Sequence, residues 1–210
     1  MGLADWWNRH GVPRVIECAC GMPAIASLRE RVVPLATGRV FEIGCGGGLN
    51  QQYYKRDAVS LFAGIDPNAK LLENARTRAR ANGWDTEMKE GVGEDIPFAS
   101  STFDSVVCTF TLCSVQDETR VLSELKRILK PEGRLIFLEH GRSPDANVAR
   151  WQERIEPVWK PFAGGCHLTR PVGGSLRGAL FDVEPLGQKY IKRTPKFAGW
   201  VEWGVAHKRN

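Results

Sequence analysis

The chain has 210 residues and a formal net charge of +5, with 42% hydrophobic and 25% charged residues, which describes one ordinary globular domain with material for a full core. No run approaches the roughly 18 consecutive apolar residues of a membrane span, and Met1-Gly2-Leu3-Ala4-Asp5-Trp6-Trp7 lacks the regions of a signal peptide. The six cysteines, Cys18, Cys20, Cys45, Cys108, Cys113 and Cys166, are spread as reduced thiols and not as a disulfide framework, so a cytoplasmic protein is expected.

Residues 1–38 read as an N-terminal helical extension. A first strand over 39–44 runs straight into Gly44-Cys45-Gly46-Gly47-Gly48, where glycine fills four of five positions and Glu42 stands two residues ahead. Glycine lets a backbone turn sharply and lets a ligand approach it, because no Cβ intervenes. A second strand, Leu61-Phe62-Ala63-Gly64-Ile65, closes on Asp66. A helix is expected over 68–82, with Leu71, Leu72, Ala75 and Ala79 on one face and Gly83 at its end. Residues 86–90 form a short third strand and Ser105 to Phe110 a buried fourth. A helix over 117–129 turns Val121, Leu122, Leu125, Ile128 and Leu129 inward and stops at Lys130-Pro131-Glu132-Gly133. Arg134 to Leu138 is a fifth strand. Ala179 to Pro185 and Trp200 to His207 are the last two, with no helix between them.

Alternating strands and helices predict a parallel sheet covered on both faces. The chain divides as extension (1–38), cofactor-binding core (39–140), substrate-side insertion (141–178) and C-terminal strand pair (179–210). Trp151, Trp159 and Phe162 in the insertion, with Trp6 and Trp7 in the extension, read either as a lid over the sheet edge or as ordinary helix packing. Residues 186–210 carry six Lys or Arg against Glu202 alone. That end suits an acidic ligand or peripheral contact with an anionic membrane, or is a solvated rim.

In open parallel sheets, ligands bind at the C-terminal strand ends where the winding reverses. A carboxylate at Asp66 suits a ribose diol. The dinucleotide fingerprint fails, however: the sixth position is Leu49 counted from Gly44, or Gln51 counted from Gly46. Glu42 also opposes a pyrophosphate. A cofactor with a sulfonium and an amino-acid tail fits better, its ammonium held by a carboxylate and backbone carbonyls. The pattern Glu42-x-Gly44-x-Gly46-x-Gly48 followed by Asp66 resembles the class I S-adenosylmethionine methyltransferases. The resemblance implies a Rossmann-like α/β fold: a seven-stranded, mostly parallel sheet with helices on both faces, an antiparallel last strand and the N-terminal helical lid.

The stretch Glu94 to Asp104 resembles the methyltransferase link from the adenine loop to the fourth strand. Cys108-Thr109-Phe110-Thr111-Leu112-Cys113-Ser114-Val115, Leu138-Glu139-His140-Gly141, Trp151-Gln152, Glu156-Pro157 and Gly165-Cys166-His167-Leu168-Thr169-Arg170 narrow it. They resemble the methyltransferase-like thiol S-methyltransferases and their bacterial relatives. The resemblance implies S-adenosylmethionine as cofactor, S-adenosylhomocysteine as product, and a small acceptor, a thiol before others; a lipid amine or quinone-type acceptor is the alternative. It places cofactor contacts at Glu42, Gly44, Cys45, Gly46, Asn50, Asp66 and Pro67, then at Val92, Gly93 and Glu94, and at Thr109, Phe110 and Thr111. Val92 stands where many relatives have a polar adenine reader, so Glu94 or Asp95 is the substitute.

Methyl transfer is an in-line displacement in which positioning supplies much of the effect. A base is needed only for a protonated acceptor. His140, after the fifth strand, is the first candidate, and His167 the second, since histidine changes charge near neutral pH; the alternative is a histidine that only bonds the lid. The tight Cys18-x-Cys20 spacing does not suit a zinc knuckle, and no metal is expected. No basic stripe interleaved with aromatics appears in the first 180 residues, so no nucleic-acid partner is expected. Two rival classes remain: a nicotinamide-dependent oxidoreductase and a non-catalytic module that binds S-adenosylmethionine.

Overall fold

A computed structural model describes residues 11–12, 18–84 and 86–209. Its strands are β1 (Gly38–Ile43), β2 (Val59–Asp66), β3 (Thr86–Glu90), β4 (Phe103–Thr109), β5 (Leu129–His140), β6 (Phe181–Tyr190) and β7 (Trp200–Lys208). They form one sheet in the order β3-β2-β1-β4-β5-β7-β6. The first five run parallel, β7 pairs antiparallel with β5, and β6 pairs antiparallel with β7.

The central strands β1, β2, β4 and β5 are buried on both faces because helices cover both, whereas the edge strands β3 and β6 are largely exposed. Along β1, Val40 joins one core layer while Phe41 and Ile43 join the other, as the two-residue period of a strand requires. Helices α1 (Pro23–Val32) and α2 (Ala69–Ala81) supply Ile25, Leu28, Leu72, Ala75 and Ala79 to the first layer. Helix α3 (Glu118–Ile128) supplies Val121, Leu122, Leu125 and Ile128 to the second. Local signals set the ends. Asn68 Oδ1 accepts from the Lys70 and Leu71 amides at 3.1 Å to cap α2. At its other end Gly83, at φ +69°, donates to Arg80 O while Trp84 donates to Ala79 O, the glycine-dependent pattern that stops helices.

The expected elements are present, with four main differences. β6 starts at Phe181 and runs to Tyr190, past the expected end at Pro185. β5 begins at Leu129, ahead of the expected Arg134, because Leu129 pairs with Phe103 before the register shifts and Arg134 meets Ser105. β4 stops at Thr109, and Phe110 turns to φ +54°. A four-residue helix α6 (Lys196–Gly199) stands between β6 and β7, where none was expected. The insertion is helical, with α4 (Ala146–Phe162) and α5 (Val172–Gly178). Gln152, fully buried, pins α4: its amide donates to Gly141 O (3.1 Å) and Phe197 O (3.0 Å), and its oxygen accepts from the Ser143 amide at 2.9 Å. Trp159 packs edge-on to Phe197 at 5.7 Å, whereas Trp151 is exposed. Trp6 and Trp7 lie outside the described residues. Among the described residues, no helix is long and apolar enough to cross a membrane.

Candidate active site

Because β1 is flanked by β2 and β4, the winding reverses beside β1, and a cleft of about 690 Å³ opens at that point. The glycine turn forms its floor. Gly44, Gly46 and Gly48 have φ of +62°, +50° and +81°, conformations that disfavour a side chain. A Cβ at Gly44 would lie 2.4 Å from Thr111 Oγ1, whereas one at Gly46 would meet nothing nearer than Gly44 O at 4.0 Å. The space over Gly46 is therefore room for a ligand.

Asp66 is fixed to this turn. Its Oδ2 accepts from the Gly46 amide and its Oδ1 from the Asn68 amide, both at 2.8 Å. Burial raises its pKa, and the Asn68 and Gly46 amides oppose that rise. Each oxygen keeps a lone pair for a further donor. Pro67, Val92, Gly93 and Glu94 continue the wall. Val92 is 47% exposed, an apolar surface suited to a flat ring. The Glu94 carboxylate is already engaged, since Oε1 accepts from the Gln116 and Asp117 amides at 2.9 and 3.1 Å.

Glu42 also lines the cleft but belongs to a buried network. Its oxygens accept from Asn50 Nδ2 at 2.9 Å and Tyr54 OH at 2.8 Å. Burial pushes its pKa up to about 7, against the pull of Tyr54, Arg29 and Asn50. Arg29 from α1 completes the network. It donates to Asn50 Oδ1 and, at 2.8 Å, to Thr109 Oγ1, and its guanidinium lies 5.5 Å from the Phe110 ring centroid. Its Nε is buried without a partner, and the residue lines the cleft. Nothing in the sequence marked Arg29 as part of this cleft. Asn50, expected at the cofactor, has a fully buried side chain that lies outside the cleft wall and holds Glu42, Thr109 and Arg29 together.

The opposite wall is Thr109, Phe110 and Thr111. Buried Glu139 shapes it: the Thr111, Leu112 and Cys113 amides donate to its carboxylate at 2.8, 3.2 and 3.3 Å. Burial outweighs these bonds and raises the Glu139 pKa to about 6. Here Phe110 takes its positive φ, strain that the surrounding bonds sustain. Neither histidine is on the cleft wall. His140 is buried, with Nδ1 3.7 Å from Cys166 Sγ and Nε2 without a partner. His167 Nδ1 lies 3.3 Å from Glu156 Oε1; burial, then Arg170 and Lys160, lower its pKa. From the insertion, Gly164 reaches the wall, as does Cys20 from the N-terminal segment. No group of three or more His, Cys, Asp or Glu among the described residues is arranged for a metal ion. A second depression of about 540 Å³ lies at the β6–β7 edge. It is remote from the strand switch, and its Glu202 is engaged by Trp200 Nε1 and the Gly173 amide.

A methyltransferase-domain family model matches residues 41–137. Human thiol S-methyltransferase TMT1B is 36% identical over 176 residues, covering 80% of this chain and 69% of that protein. The rat protein of that name is 38% identical over 147 residues; the match takes in 68% of this chain and spans 59% of the relative's length. Demethylmenaquinone methyltransferase of Thermotoga maritima is 33% identical over 146 residues, with 65% and 61% coverage. Among solved structures, a SAM-dependent methyltransferase from Thermotoga maritima, possibly a histamine N-methyltransferase by its description, superposes with a TM-score of 0.68 at 21% identity over 99% of this chain and 100% of that one. That likeness establishes a shared fold. With its sequence relatives and its sheet order, this chain belongs to the methyltransferase-domain family of the thiol S-methyltransferases.

Proposed function

We propose that the protein transfers a methyl group from S-adenosylmethionine to a small acceptor, a thiol before others, and that it works in the cytoplasm. One observation carries the cofactor reading: a carboxylate, Asp66, and a guanidinium, Arg29, stand on one cleft joined by a glycine turn with room above Gly46. A nucleoside with an amino-acid tail presents a diol to the first and a carboxylate to the second. Glu42 answers the tail's positive charge. Backbone at Gly44, Cys45 and Gly46 borders the tail, Pro67 the ribose, and Val92, Gly93 and Glu94 the base. Thr109, Phe110 and Thr111 border the reacting end. When bound, the cofactor supplies an electrophilic methyl group on a sulfonium.

The chain's own task is then to exclude water and align the acceptor. A small thiol with a pKa near 8.5 is already a few per cent thiolate at neutral pH, so a modest base suffices. We assign proton uptake to His140, which lies behind the cleft wall, next in sequence to the Glu139 carboxylate that holds the Thr111 and Cys113 amides. His167, tied to Glu156, stays outside the reaction. The six free cysteines support a reducing compartment.

A second acceptor class, quinols and lipid amines, is supported by the demethylmenaquinone methyltransferase relative. The test is formation of S-adenosylhomocysteine with a graded panel of thiols, lipid amines and quinols. Turnover on thiols supports the first reading. Turnover only on quinols or lipid amines transfers the proposal to that class. Binding with silence across the panel favours a non-catalytic module, and binding of NAD in place of the sulfonium favours an oxidoreductase.

A further inference from the structure

Cys166 lies in the loop after α4, and that loop is held against the loop after β4. The His167 amide donates to Cys113 O at 2.7 Å, and Gly165 comes so close to Ser114 that an added Cβ would lie 3.2 Å from its carbonyl oxygen. This tether brings Cys113 and Cys166 together across the two loops, near enough for each thiol to perturb the other. On its other side Cys166 Sγ lies 3.7 Å from His140 Nδ1. His140 Nε2 is buried without a partner, so nothing competes for that ring.

A neighbouring thiol and an imidazole beside one sulfur favour its anion. The Cys113 bond, then His140, draw the Cys166 pKa down against burial, while the Cys113 pKa rises because its proton is the one shared. Cys45 and Cys108 go the other way: burial raises both, and Cys108 donates to Glu139 at 3.2 Å. Cys166 is partly exposed, whereas Cys113 is buried.

We propose that Cys166 is a hydroperoxide-reactive thiol, with Cys113 as its resolving partner, the pair closing to a reversible disulfide. In the first step the Cys166 thiolate attacks a peroxide oxygen, the O–O bond breaks, and the sulfenic acid forms as hydroxide leaves and takes a proton to become water. In the second step the Cys113 sulfur attacks the sulfenic sulfur, its proton leaves with the hydroxyl as a second water, and the S–S bond forms. Two thiols lose two electrons and two protons, and one hydrogen peroxide becomes two waters. A dithiol reverses the change. The link draws Cys166 away from His140 and binds the 163–167 loop to the 112–114 loop. Because Gly164 and Ser114 both line the cleft, the acceptor side is altered whatever acceptor it takes.

The experiment treats the full chain with hydrogen peroxide near pH 7, blocks remaining thiols with iodoacetamide, and maps linked peptides by mass spectrometry, with fragmentation separating Cys113 from Cys108. The expected result is a Cys113–Cys166 link that dithiothreitol removes. In the reduced wild type, iodoacetamide labels Cys166 at least about tenfold faster than exposed Cys18, as a stabilised thiolate should be. Cys113→Ser stops the sequence at a dimedone-trappable sulfenic acid on Cys166, and His140→Asn slows alkylation of Cys166. Equal labelling of Cys166 and Cys18, or peroxide treatment that leaves Cys113 and Cys166 unlinked, overturns the proposal. These readouts are covalent, so failure of the methyl-transfer reading leaves them intact.

Discussion

Arg29 in the N-terminal helix donates a 2.8 Å hydrogen bond to Thr109 at the end of β4, bridging 80 positions of sequence. The helix is thereby coupled to the cleft wall. Replacing Arg29 by Met removes the proposed carboxylate partner and leaves the buried Asn50 oxygen unpaired. Hydrogen bonds to charged groups are worth about 1.5–3 kcal/mol, so the dissociation constant for S-adenosylhomocysteine is expected to rise roughly 10- to 100-fold by calorimetry. Unchanged affinity would remove Arg29 from the cofactor site.

Asp66→Ala deletes two amide acceptors and the proposed diol partner together. Loss of about 1.5–3 kcal/mol of binding is expected. The same calorimetric titration checks it, with circular dichroism confirming that the sheet remains.

Gly44 and Gly46 should separate stability from binding. A methyl group at Gly44 meets Thr111 within 2.4 Å, whereas one at Gly46 enters open cleft. Gly44→Ala is expected to destabilise the fold, typically by about 1–3 kcal/mol for overpacking. Gly46→Ala costs less stability and more cofactor affinity. Denaturant titration beside binding measurements tests the pair; equal effects on both quantities at both sites would refute the assignment.

Glu42 predicts pH dependence of two signs. In the folded chain its pKa is raised from 4.5 to about 7, so its contribution to stability is fully present below about 4.5 and is lost as pH rises through about 7. Glu42→Gln removes that slope, which denaturant midpoints between those limits would reveal. A cationic tail favours the ionised carboxylate, so cofactor binding tightens as pH rises towards 7 and releases a proton. Calorimetry in buffers of different ionisation enthalpy detects that proton, and a pH-independent affinity would exclude Glu42 from contact with the charge.

His140→Ala should lower turnover more than cofactor affinity. General bases commonly contribute about 10²- to 10⁴-fold. The acidic limb of the pH–rate profile should flatten in the variant; superimposable profiles would end the base assignment.

Much of the cleft was legible because its parts are local and sit at strand ends: the glycine turn, Asp66, residues 92–94 and residues 109–111. Arg29 was not, since a basic residue in an amphipathic helix has no local mark of inward orientation and acquires its role through distant contacts. The side chain of Asn50 departs from its expected position for the converse reason. Its position just after the glycine turn suggested the ligand, but the short 3-10 turn that follows carries its side chain under the floor to Glu42. Glu139 did leave a signal, an acid ending an apolar strand, and its three amide donors explain how that charge is tolerated inside. The α6 turn between the last strands has too few residues for any helical period to show.

The placement of β7 between β5 and β6 has a consequence for how the chain is made. Residues 200–208 emerge from the ribosome after every other strand, yet they fill an interior position. Until they arrive, β5 presents an unpaired, apolar edge, the kind of surface that recruits other chains. Synthesis therefore passes through a sheet that is complete on the cofactor side and open on the other. Slow translation or early termination before residue 200 should reveal itself as aggregation during expression, even when the cofactor half has already folded.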